Sequence, residues 1–400
     1  MKKALPVSAN AENVVARLQK AGFETYIVGG AIRDMLMGRT PKDFDISTAA
    51  TPEEVRQVFG RRSSRIIGKR FRLAHVYCGK ELFEVATFRR APGKNAQGRG
   101  EELPENLIVS DNVFGTSSED AARRDFTVNA LFYDPGKREI KDFTGRGLDD
   151  IEKGVVRAIG DPALRFEEDP VRLLRALKLV GQYDFSLDSA TENALFAKLP
   201  LFELASPSRR TLELEKILQS GYGDRQLEAF HDYGLLALFL PRIDRVWDSP
   251  VGSRVRELLF ERNCRMEEGC FRNSLSLAAA VISLPFVEEA LGRAPGTLWE
   301  PCNGAEEAVE EVVNTLFLPQ NLMVRVREAA CRILDLVPLM VMREERMMRR
   351  IFSSRSYGHA RELLCILQAV SCGDASACER AWPELPPGRP PRCKKMRGRF

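Results

Sequence analysis

The chain predicts an α+β fold: a small mixed sheet with helices at the N-terminal end, followed by an all-helical remainder. Through residue 88 the apolar pattern switches between strand-like and helix-like periods within a few residues. From Ile151 onward apolar residues recur at three- and four-residue intervals, in long segments at 170–183, 208–219, 306–317 and 321–336. With 400 residues, 44% of them hydrophobic, the chain can bury more than one core.

Taken in order, Val14, Val15 and Leu18 place a helix over 10–20, and Thr25–Val28 reads as a strand that ends at Gly29 and Gly30. A short helix over 31–37, a strand over 44–47 and a helix over Pro52–Phe59 follow. Apolar runs at 71–78 and 82–88, separated by Gly79 and Lys80, predict a hairpin. Residues 91–106 are rich in Gly, Asn, Gln and Arg without apolar period and read as a mobile loop. The segments assort into a head over 1–150, a helical region over 151–235, a helical body over 236–380 and a Pro-rich basic tail over 381–400. A solvated, disordered terminus explains that tail, and contact with RNA is the other reading.

The net charge of +4 and a pI near 8.5 give only a mild global attraction for polyanions, so any nucleic-acid surface must be local. Nine cysteines without a Cys-x-x-Cys pair, and without histidines beside them, predict reduced thiols in a cytoplasmic protein. The N-terminus carries Lys2 and Lys3 with no long apolar run behind them, and no stretch has the length of a membrane span. With three histidines in all, carboxylates and arginines are left as the working groups.

Asp43 and Asp45 are separated by one residue and follow the Gly29-Gly30 turn, Arg33 and Asp34. On a strand, residues two apart share a face, so both carboxylates can hold a divalent metal beside a phosphate anchored on the glycine backbone. The same spacing also occurs in solvated turns. Two-metal phosphoryl transfer needs a further carboxylate from a neighbouring segment. Glu84 is the acid inside the apolar run at 82–88, where a lone buried carboxylate would be costly unless it held a metal.

Arg123 and Arg124 can meet phosphates, and Asp125 and Asn129, four residues apart, can hydrogen-bond a ribose; ordinary capping of a helix start is the alternative. Asp169 and Arg172, flanking Pro170, lie three apart at the opening of a basic helix. Together they can offer acceptor and donors to a base edge, or simply form a salt bridge.

The ordered set Gly29-Gly30, Arg33-Asp34, Asp43-Phe44-Asp45, Arg123-Arg124-Asp125-Phe126-Thr127-Val128-Asn129 and Glu168-Asp169-Pro170-Val171-Arg172 resembles the motifs of class II nucleotidyltransferases of the polymerase-β superfamily. That family contains bacterial poly(A) polymerases and tRNA CCA-adding enzymes. The resemblance covers residues 24–223 and implies a catalytic head, a helical neck that selects the nucleotide, and a helical body that holds RNA. It assigns Asp43 and Asp45 to metal, the segment at 123–129 to the ribose, and Asp169 with Arg172 to the base. Glu84 matches as an additional carboxylate, and Gly29, Gly30 and Arg33 are expected to hold the triphosphate.

Three segments, at 66–76, 84–89 and 218–223, are similar to the poly(A) branch, although the basic segment at the end is shorter than in that branch. The resemblance therefore implies template-independent addition of AMP from ATP to RNA 3′ ends, with Mg²⁺ as the ion. A CCA- or A-adding tRNA enzyme is the alternative within the family, and a non-catalytic RNA-binding protein on the same fold is a remote one. RNA 3′ ends and ATP are the expected partners, with no membrane and a monomeric state.

Overall fold

The structure, a computed structural model, describes residues 1–68, 72–90 and 113–384. The expected loop at 91–106, residues 69–71 of the segment at 66–76, and the tail beyond residue 384 lie outside the described residues. The chain divides into two compact units, Met1–Leu204 and Ala205–Phe400.

The first unit opens with α1 (Ala9–Lys20), where the Ser8 hydroxyl accepts the Ala11 N–H at 3.1 Å and Val14, Val15 and Leu18 form the buried stripe. Then come β1 (Thr25–Val28), α2 (Gly30–Leu36), β2 (Asp45–Thr48) and α3 (Pro52–Phe59). A capping box between Thr51 and Glu54 starts α3, with Pro52 in its first turn. Strands β3 (Ser64–Ile67), β4 (Leu73–Cys78) and β5 (Glu81–Thr87) precede α4 (Ser117–Ala122). A 3₁₀ turn at Thr127–Asn129, β6 (Leu131–Asp134), β7 (Glu139–Asp142) and α5 (Gly147–Lys153) follow. After β8 (Val155–Val156) come α6 (Pro162–Glu168), α7 (Val171–Tyr183), β9 (Ser186–Leu187) and α8 (Ser189–Lys198).

Seven strands form one mixed sheet in the order β3-β4-β5-β2-β1-β6-β7, with β2 and β5 parallel and the other neighbours antiparallel. The hairpin expected across Gly79 is present as β4–β5, with Gly79 at φ +62°. Ile27, Ile46, Val85 and Leu131 point to one face and join α1, α2 and α3 in the main core. Tyr26, Val28, Phe88 and Phe132 point to the other, where they pack with Ala121 of α4. By the two-residue period of strands, Asp45 and Glu84 fall on this second face.

The second unit is helical: α9 (Pro207–Leu218), α10 (Gly223–Asp232), α11 (Leu235–Phe239), α12 (Pro241–Arg245), α13 (Pro250–Glu267), α14 (Leu275–Ala290), α15 (Ala305–Thr315), α16 (Val324–Met342), α17 (Met348–Ser353), α18 (Tyr357–Cys372) and α19 (Ser376–Ala381). Every residue of α14 from Leu277 to Glu288 is buried, because α13, α15, α16 and α18 pack around it. A helix that is apolar all round needs such neighbours. Among the described residues no helix is long and apolar enough to cross a membrane.

Candidate active site

Gly29 ends β1 at φ +80° and ψ −144°, a conformation that L side chains rarely adopt. A Cβ there would sit 3.3 Å from Arg124 Nη1 and 4.0 Å from Asp45 Oδ2, so glycine also permits the close approach of these groups. Asp45 is exposed and opens β2, paired across the sheet with Val28. Asp43 is exposed too, but it precedes the strand, which corrects the expectation that strand periodicity sets both carboxylates. The ladder ends at Val28 and Asp45 because Gly29 turns the chain into α2, leaving Asp43 outside the pairing.

The parallel register pairs Ile46 with Val85, so Glu84 precedes Val85 as Asp45 precedes Ile46. Glu84 is not the costly buried acid that the sequence argument assumed. Burial along β5 alternates, and Glu84 is 58% exposed with Oε1 3.6 Å from His75 Nε2, its partner across the β4–β5 ladder. Among the described residues no three or more His, Cys, Asp or Glu side chains are gathered as a metal-holding cluster.

The arginine pair is organised by a residue that the sequence reading missed. Asp120, 3% exposed in α4, accepts Arg123 Nε at 3.1 Å on one oxygen and Arg124 Nη2 at 3.0 Å on the other. The same carboxylate accepts the Arg89 backbone N–H at 3.2 Å. Its spacings of three and four to the arginines were a readable helix signal. Arg124 also donates to Ser47 Oγ at 3.3 Å and lies 5.1 Å over the Phe132 ring, which fixes it on the Asp45 face of the sheet.

Asp125 and Asn129 do come together: Asn129 Nδ2 donates to Asp125 Oδ1 at 3.1 Å, and the Phe126 N–H donates to the same oxygen at 2.8 Å. Burial alone would raise the Asp125 pKa, but Arg175, the Asn129 amide, the Phe126 N–H and Arg172 together hold it below the usual carboxylate range. Asn129 Oδ1 in turn accepts from Arg33, whose guanidinium is buried and also donates to Asp34 at 2.8 Å.

Asp169 and Arg172 do not form the salt bridge that was the alternative reading of their spacing. Asp169 ends α6, and its Oδ1 accepts the Val171 N–H at 3.3 Å, a cap on the first turn of α7. The Arg172 guanidinium is buried and donates to Arg165 O at 2.9 Å and to Glu168 Oε2 at 3.1 Å. Arg165 and Glu168 were thus overlooked as the partners of Arg172. Arg165 also donates to Arg124 O at 2.7 Å, and through it α6 and α7 are tied to the arginine pair. Burial first, and then Arg172 beside it, push the Arg165 pKa down.

Residues 25–157 match the family described as the poly A polymerase head domain, and residues 184–246 match the probable RNA and SrmB-binding site of polymerase A. Poly(A) polymerase I of Haemophilus influenzae is 43% identical over 238 residues, covering 59% of this chain and 52% of that protein. Poly(A) polymerase I of an Escherichia coli strain is 36% identical over 332 residues, covering 80% of this chain and 71% of that protein. The chain belongs to the tRNA nucleotidyltransferase/poly(A) polymerase family.

Family membership agrees with the fold. The crystal structure of the Bacillus stearothermophilus CCA-adding enzyme in complex with CTP superposes with a TM-score of 0.64 at 24% identity, covering 93% of this chain and 81% of that one. At that identity the likeness concerns the architecture alone. In this member of the family Asp45 and Glu84 are exposed on one face of the sheet, the face on which Asp120 holds Arg124 beside the glycine turn. Exposed carboxylate oxygens are hard ligands, and Mg²⁺ typically takes one or two of them together with waters and substrate phosphates. The residues present therefore fit that ion without a preformed cage.

Proposed function

We propose that the protein is a template-independent polynucleotide adenylyltransferase that adds AMP from ATP to RNA 3′ ends. The observation that carries the proposal is that the Asp45 carboxylate and the Arg124 guanidinium both approach the glycine turn, at 4.0 Å and 3.3 Å from where a Cβ on Gly29 would stand. A carboxylate there can serve a metal, and a cation and backbone N–H groups can serve a polyphosphate, within one site.

In the reaction the RNA 3′-oxygen attacks the α-phosphorus of ATP. A new P–O bond forms, the bond to the β-phosphate oxygen breaks, and pyrophosphate leaves. Asp43, Asp45 and Glu84 would hold Mg²⁺, which when bound neutralises the triphosphate and acidifies the attacking hydroxyl. Gly29 and Gly30 offer backbone to the phosphates, with Arg33, Arg123 and Arg124 as the cations of the site. Asp125 and Asn129 orient the ribose, and Asp169 with Arg172 line the base-selecting end of α7. Residues 151–235 serve as the neck and 236–380 as the RNA-holding body of a cytoplasmic monomer.

Both curated relatives named above are called Poly(A) polymerase I, which favours poly(A) addition over CCA addition. The test is extension of an unstructured RNA primer and of a tRNA lacking its CCA end, with Mg²⁺ and ATP or CTP. A long ladder on the plain primer with ATP alone is the expected result. One to three additions confined to tRNA would make the protein a tRNA nucleotidyltransferase instead.

A further inference from the structure

Tyr183, the last residue of α7, is 6% exposed and lies outside every motif discussed above. Its hydroxyl accepts Arg33 Nη2 at 2.5 Å and Gln182 Nε2 at 3.0 Å, and donates to Asp34 Oδ1 at 2.7 Å. Its ring carries two cations, with the Arg33 guanidinium 4.3 Å and the Arg39 guanidinium 4.6 Å from the ring centroid. Burial pushes the Tyr183 pKa well up, with Arg33 opposing and Asp34 reinforcing the shift, so the hydroxyl keeps the proton that it donates to Asp34.

These bonds close a circuit. Arg175 of α7 pairs with Asp125, Asp125 accepts from Asn129, Asn129 accepts from Arg33, and Arg33 donates to Tyr183 at the far end of α7. The helix advances about 12 Å between Arg175 and Tyr183. Two points on α7 are thereby tied to the glycine turn and the segment at 125–129 through side chains with defined partners.

We propose that Tyr183 is a positioning residue that sets Arg33, and through it the distance and angle between the glycine turn and α7, so that it contributes to the preference for ATP. This rests on the adenylyltransferase reading above. A triphosphate held at the turn and a base read at α7 are matched only when these two elements keep their spacing. The nucleotide that fits both ends loses most when the spacing relaxes.

The test compares wild type with Tyr183→Phe in the full chain, measuring ATP and CTP affinity by calorimetry without RNA, and the thermal midpoint. Phe keeps the ring under both arginines, and Arg33 and Asp34 still satisfy each other, so the variant folds. ATP binding is expected to weaken about five- to tenfold as Arg33 loses its tyrosine hydroxyl partner, while CTP binding changes less and the midpoint holds. Equal weakening of both nucleotides, a lowered midpoint alone, or no change overturns the proposal. Wild-type protein that binds ATP but extends no RNA overturns the reaction proposed above, while the Tyr183 comparison is still decided by binding.

Discussion

Arg175 Nη2 lies 2.7 Å from Asp125 Oδ2, a charge pair between a side chain 44% exposed and one that is almost fully buried. It joins α7 to the segment at 123–129. The pair holds the carboxyl ionised where burial alone would not.

Because the Asp125 pKa is depressed on folding, its contribution is present above the unfolded value near pH 4 and is lost as pH falls through the lower folded value. Asp125→Asn is expected to cost about 1–2 kcal/mol near neutral pH, after discounting for the solvent on Arg175. Urea titrations at several pH values should show the gap to wild type constant from pH 8 to 5 and closing below pH 4.

The exposed carboxylates are predicted to matter for turnover and not for folding. Asp43 and Asp45 are both exposed, so Asp43→Ala and Asp45→Ala should leave the stability within about 0.5 kcal/mol of wild type. Primer extension should fall by roughly 100-fold or more, the scale of losing an electrostatic contributor to the transition state. Retained turnover in either variant would remove that residue from the metal set.

Asp120→Ala should do the reverse of a surface substitution. It leaves Arg123, Arg124 and the Arg89 N–H without their shared acceptor. A loss of about 2–3 kcal/mol is expected, since the acid is buried while the arginines keep partial access to water. Chemical denaturation measures this, and a change under 0.5 kcal/mol would show that Asp120 does not organise the pair.

In the helical unit, burial and then Glu306 raise the Asp335 pKa to about 6, with Arg350 opposing. The folded state binds more protons than the unfolded between about pH 4 and 6, so stability falls as pH rises through that window and is flat above it. Asp335→Asn is therefore expected to stabilise by about 1–2 kcal/mol at pH 8 and by little at pH 4. Thermal melts at the two pH values check the sign.

Arg262 is completely buried in α13, with Nη1 2.8 Å from Ser220 O and Nη2 2.8 Å from Leu218 O and 2.7 Å from Asn273 Oδ1. Burial lowers its pKa to about 10. Arg262→Met should cost about 3 kcal/mol by orphaning those acceptors at the end of α9, and Arg262→Lys should recover little because one ammonium cannot reach the same fork of acceptors. Equal stability of Arg262→Lys and wild type by urea unfolding would contradict this.

Local period made much of the molecule legible. Pro52–Phe59 was readable to the residue and α7 to within one, because each buries one face or starts at a cap, while Thr25–Val28, buried on both faces, was marked by the Gly29-Gly30 turn that ends it. Strands β6 and β7 were not read. Leu131–Asp134 is buried on both faces and shows no alternation, and four residues are too few to set a period.

At the site the residue types and their order were legible, and the pairing was not. Asp169 and Glu168 stand three and four residues before Arg172, and both spacings suit a helix. The break between α6 and α7 decided for Glu168 by turning Asp169 into a backbone cap. The exposure of Glu84 was likewise a matter of which face of β5 the core covers.

By itself the sequence determined the α+β order of elements, the glycine turn, and the acidic and basic groups that imply nucleotidyl transfer. Only the tertiary structure decided that Asp120 holds the arginine pair and that Arg33 is bound to Asn129, 96 residues away, and to Tyr183, 150 residues away. Local periodicity reaches three or four residues along a helix and two along a strand, whereas these partners meet through the strand order and the packing of α7.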